Sequence, residues 1–83
     1  MLKTIKSKVI EEGGGETGPF RIREVEFISS EKPTPDILNV TFNEWCECSH
    51  SPCGHWAAMP DVSSLKQVKK LIWVVNVRHF QVV

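Results

Sequence analysis

Eighty-three residues, 41% hydrophobic and 24% charged, make one domain over 1–83 and are too apolar and too evenly charged for a disordered chain. Ten basic residues offset ten acidic ones, which excludes the strongly positive surface of a dedicated nucleic-acid binder. No apolar run approaches the ~18 residues of a membrane span. The lysine-bearing start, Met1 to Lys6, has no apolar signal core behind it, so an intracellular protein of the cytoplasm, nucleus or nucleoid is expected.

In chain order, Lys3–Glu12 reads as a strand, with Ile5, Ser7 and Val9 alternating with Lys6 and Lys8. Gly13-Gly14-Gly15 and Thr17-Gly18-Pro19 read as a flexible loop that no strand continues through. Phe20–Ser29 is a second strand. Its apolar parity switches from Phe20 and Ile22 to Val25 and Phe27, which predicts a bulge or twist near Arg23–Glu24. Glu31–Asp36, with Pro33 and Pro35, is a stiff connection. Ile37–Glu44 reads as a third strand, with Leu38, Val40 and Phe42 on one face.

Beyond the cysteines and Pro60, Ser64 with Gln67 resembles a capping box opening a short helix. Leu65, Val68, Leu71 and Ile72 would share one of its faces, with Lys66, Lys69 and Lys70 on the others. Trp73–Val83 is β-branched and reads as a final strand. The expected class is α+β: a small antiparallel sheet, one short helix and a zinc-binding loop. Residues 73–83 are apolar on both faces, which suggests packing against a second copy or a partner, unless the strand is simply central.

All three cysteines and two of the three histidines fall within ten residues, Cys46-Glu47-Cys48-Ser49-His50-Ser51-Pro52-Cys53-Gly54-His55. Thiolates and imidazoles this close suit tetrahedral Zn²⁺. The two pairs Cys46-x-Cys48 and Cys53-x-His55 flank a turn carrying Pro52, which can fold one pair onto the other. These four are the expected ligands of a structural zinc. His50 is the alternative fourth ligand, and His79 is read as an ordinary strand histidine.

The pattern Cys46-x-Cys48-x₄-Cys53-x-His55 resembles the SWIM zinc finger, C-x-C-x(n)-C-x-H, and the likeness extends over Leu38 to Met59. Pro52 before the third cysteine and Trp56-Ala57-Ala58 after the histidine fit that family's usual context. The resemblance implies zinc on Cys46, Cys48, Cys53 and His55, with a DNA-binding or protein-binding role. The spacer is shorter than usual in the family, and Pro60 cuts off the helix that would follow the histidine.

Four ligands close the coordination shell, which leaves no open position for a zinc-bound water, and no H-x-E accompanies the cysteines. Gly13–Gly15 lacks the lysine of a phosphate loop. A non-catalytic module is therefore expected. Residues 11–61 carry a net −7, against +3 before them and +4 after, so the zinc loop lies in acidic sequence. That favours a protein partner, met by Trp45, Glu47, His50 and Trp56. The alternative is nucleic-acid binding through Lys66, Lys69 and Lys70 with the tryptophans as stacking platforms.

Overall fold

The computed structural model describes residues 2–15, 18–45, 48 and 53–81. Four strands, β1 (Lys3–Gly15), β2 (Gly18–Ile28), β3 (Trp56–Lys69) and β4 (Ile72–Gln81), form one antiparallel sheet in the order β1-β2-β4-β3. Among the described residues the single helix, α1 (Pro35–Phe42), has 8 residues, whereas the strands have 13, 11, 14 and 10. The domain is therefore sheet-dominated. This corrects the expected α+β class: the helix expected after Ser64 is absent, and the one helix present lies where a strand was expected.

The correction at 37–44 has a local cause. Thr34 takes an extended conformation, and its Oγ1 accepts the Ile37 N–H at 3.3 Å. Pro35 follows at the start of the helix, and Asp36 places a carboxylate in the first turn, where the helix dipole favours it. Once the segment is wound, Leu38 and Phe42 lie four residues apart on one face while Val40 turns away. Leu38 is fully buried and Val40 is 70% exposed. The alternation Leu38-Val40-Phe42 imitated a strand only because two of its three members are also one helical turn apart.

After Pro60 the cause is tertiary. β3 runs through residues 56–69, and its register on β4 slips between Asp61 and Lys66 and again between Gln67 and Lys69. At the first slip, Asp61 Oδ1 accepts from the Ser63 N–H at 3.1 Å, and Ser64 Oγ accepts the Asn76 N–H at 2.8 Å. Ser64 therefore serves a bulge and caps no helix. The bulges break the period of two, so Leu65, Val68, Leu71 and Ile72 mimic a helical stripe. Leu65 packs on the core, while Val68 and Leu71 are exposed. Pro60 is tolerated because β3 is an edge strand.

The glycine loop is also corrected. β1 continues through Gly15, with Gly13 opposite Phe20, Gly14 opposite Pro19 and Gly15 opposite Gly18. Ladder hydrogen bonds to β2 hold the glycines extended, and Gly18, at φ +96°, opens β2 in the left-handed region. The bulge expected near Arg23–Glu24 lies instead on the neighbouring strand. β2 keeps unbroken register with β4 from Phe20 to Ile28, and β1 slips at Ile5 and at Ile10.

The change of apolar parity in β2 marks two faces of one sheet. Val25 and Phe27 share a face with Val75, Val77 and Ala58, and α1 seats Leu38 there to make the core. Phe27 and Phe42 meet at a ring separation of 5.7 Å. Phe20 and Ile22 belong to the opposite face, where the Arg78 guanidinium lies 5.3 Å from the Phe20 ring centre. β4 accounts for the apolar stretch after Ile72. It lies between β2 and β3, with Val75 and Val77 buried on one side and Val74 on the other.

Candidate metal centre

The site grows from the exit of α1. Asn43 ends the helix, its N–H donating to the Asn39 carbonyl at 2.9 Å. Glu44 then pairs as an isolated bridge with Ala58, through N–H···O contacts of 2.9 and 2.8 Å. This bridge lays the segment entering the cysteine stretch alongside the start of β3. Cys53, Gly54 and His55 lead directly into that strand. Gly54 has φ +74°, a conformation that disfavours a side chain, and its carbonyl accepts from Gln81 Nε2 at 3.3 Å.

The result is a cluster in which Cys48 Sγ, Cys53 Sγ and a ring nitrogen of His55 all lie within 4.8 Å of one another. Cys48 Sγ and His55 Nδ1 are 3.0 Å apart. Tetrahedral Zn–S and Zn–N bonds of standard length set sulfur and nitrogen ligands about 3.6 Å apart, so small side-chain movements accommodate an ion. Cys48 and His55 are exposed and Cys53 is half-buried. Two thiols and an imidazole are the donor chemistry zinc takes. Three of the four expected ligands are thus brought together; Cys46 lies outside the described residues, as do His50 and Glu47.

The tryptophans flank the cluster on both sides in sequence. Trp45 is 60% exposed, with its ring 5.9 Å from that of Phe80. Trp56 is 43% exposed beneath the Arg21 guanidinium, 5.6 Å from the ring centre, and Arg21 in turn pairs with Glu12 at 2.9 Å. Arg21, Phe80 and Gln81 reach this end only through the β2–β4 register, which no motif announces.

The lysines occupy another place. Lys66 and Lys69 lie on β3, and Lys70 in the turn before β4, with no helix beneath them. The β4 partners of Trp56 and Lys66 are Gln81 and Val74, so the two lie on the order of 24 Å apart along the sheet. No described helix is long and apolar enough to cross a membrane. No family model matches the chain, and neither a curated protein nor a solved structure does.

Proposed function

We propose that the chain is a small non-catalytic zinc-binding module whose metal-tied loop presents a recognition surface to a protein partner. The observation that carries this is the convergence of Cys48, Cys53 and His55. Cys46, two residues before Cys48, is the proposed fourth ligand, and the likeness of the motif to the SWIM finger supports the same set. A zinc held there would tie the stretch after α1 to the start of β3 and lower the entropy lost when that loop is recognised. Trp45 and Trp56, both exposed, supply the aromatic anchors. The acidic character of residues 11–61 argues for protein over phosphate. Nucleic-acid binding loses its basic helix, since Lys66, Lys69 and Lys70 belong to an edge strand and its turn.

Two measurements test this. Elemental analysis of protein purified without chelator is expected to give one zinc per chain, and His55→Ala or Cys48→Ser is expected to lose it; well-folded protein free of zinc would refute the metal. For the surface, Trp56→Ala is expected to abolish binding to an isolated partner while Lys66, Lys69 and Lys70 can all be changed to Gln without loss. If only the lysine changes matter, and binding falls steeply with salt, nucleic-acid recognition replaces it.

A further inference from the structure

A second site lies on the helix-bearing face of the sheet. α1 seats Leu38 over the core and leaves an open groove of about 280 Å³ between its C-terminal end and the strands. The volume lies just below the range of drug-sized ligand cavities, about 300 to 1,000 Å³, and suits a smaller molecule. The floor is apolar, made by Val25, Phe42 and Val77. The walls carry Arg23, Glu44, His79 and the hydroxyls of Thr4, Ser7 and Thr41.

Two of these charges have no ion-pair partner among the described residues. Among the described residues the two ion pairs are Lys8–Glu24 and Arg21–Glu12, so neither Arg23 nor Glu44 has a salt-bridge partner. Arg23 is half-buried, and a guanidinium held there with five donors calls for a planar oxyanion such as a carboxylate. Arg23 stands opposite Val77, one position along the same face from the Arg21–His79 pair. Burial lowers the His79 pKa, and the positive charge of Arg23 lowers it further against the opposing pull of Glu44. His79 is thus neutral near pH 7, and Arg23 is the fixed positive charge lining the groove. The carbonyl end of α1 and the Glu44 carboxylate both disfavour a dianion. Glu44 instead calls for a cation or a strong donor.

We propose that this groove binds a free amino acid with a small apolar side chain, its carboxylate on Arg23, its ammonium on Glu44 and its side chain over Val25, Phe42 and Val77. Thr4 and Ser7 donate to the carboxylate. Thr41 Oγ1, which accepts the Leu2 N–H at 3.4 Å, keeps its own proton to donate. None of the groove's residues is a proposed zinc ligand, so the titration below reads amino-acid binding separately from the metal.

The test is a titration of the ¹⁵N-labelled full chain with L-alanine, read at the Arg23 Nε–H and His79 ring resonances. Saturable shifts at both are expected. Propionate, lacking the amine, and L-alaninamide, lacking the carboxylate, are each expected to bind at least about tenfold more weakly, the equivalent of about 1.4 kcal/mol. Arg23→Lys, with the remaining amide spectrum unchanged, is expected to weaken L-alanine by a similar factor. Absence of a saturable response to L-alanine in the wild-type chain would overturn the proposal. So would inorganic phosphate or propionate binding as tightly as L-alanine, and neither outcome depends on a variant folding.

Discussion

At the scale of single residues, close approaches make the sharpest predictions. A Cβ built on Gly13 would lie 2.8 Å from Phe20 Cε1, inside any real contact, whereas one on Gly14 meets nothing within 4 Å. Gly13→Ala must push the Phe20 ring from its place beside Arg78, and it is expected to cost about 1 kcal/mol. Gly14→Ala restricts the unfolded chain without a clash and is expected to be neutral or stabilising by up to about 1 kcal/mol. Denaturant melts of the two variants check the contrast. Leu71 has φ +69° in the turn between β3 and β4, a conformation that strains a side chain, so Leu71→Gly is expected to raise the melting midpoint by the equivalent of about 1 kcal/mol. For His79 the lowered pKa fixes a sign. The unfolded chain takes up this proton near pH 6.5 and the folded chain only at lower pH, so this residue's contribution to stability falls as pH drops through that interval. Its NMR titration midpoint is expected below the ordinary value, and Arg23→Gln is expected to move it upward.

At the scale of elements, α1 is held by its cap and one buried side chain. Thr34→Ala removes the acceptor for the Ile37 N–H and is expected to cost about 1 kcal/mol. Leu38→Ala empties a fully buried position in the core cluster and is expected to cost about 2–5 kcal/mol, while Val40→Ala at 70% exposure is expected to cost little. Equilibrium unfolding of the three variants would read this order directly, and a strand at 37–44 would not produce it. The sheet edges carry their own protection: β1 slips register at Ile5 and Ile10, and β3 has Pro60 and two bulges, all of which spoil a template for another strand.

At the scale of the molecule, the metal cluster and the core occupy different regions. Cys48, Cys53 and His55 connect the segment after α1 to the start of β3, whereas the core lies between α1 and the middle of the sheet. Chelation is therefore expected to lower the melting temperature and expose amides around 43–55 to hydrogen exchange, while the central amides of β2 and β4 stay protected. Loss of all protection on chelation would show that the metal holds the whole fold. The association expected of residues 73–83 has no backbone edge to use among the described residues, since β4 is flanked by β2 and β3. A copy docking there would have to use the sheet face bearing Val74.

The sequence alone determined the features that depend on neighbours in the chain. β1 and β2 were legible because alternation in an extended strand is a local property, β4 because its β-branched run is one too, and the metal donors because five thiol and imidazole groups in ten residues have few other uses. The helix at 35–42 was also locally encoded, in Thr34-Pro35-Asp36, but the spacing of Leu38, Val40 and Phe42 satisfied both periods. Only burial of Leu38 in the core cluster, with Val40 left outside it, separated them. β3 was beyond local inference. Its bulges at Ser63–Ser64 and Val68 exist because β4 supplies the ladder they interrupt, and without that partner the same residues scan as an amphipathic helix. Tertiary structure likewise decided the Arg23, Glu44 and His79 groove, because those residues lie on three separate elements that meet only through sheet register and the Glu44–Ala58 bridge.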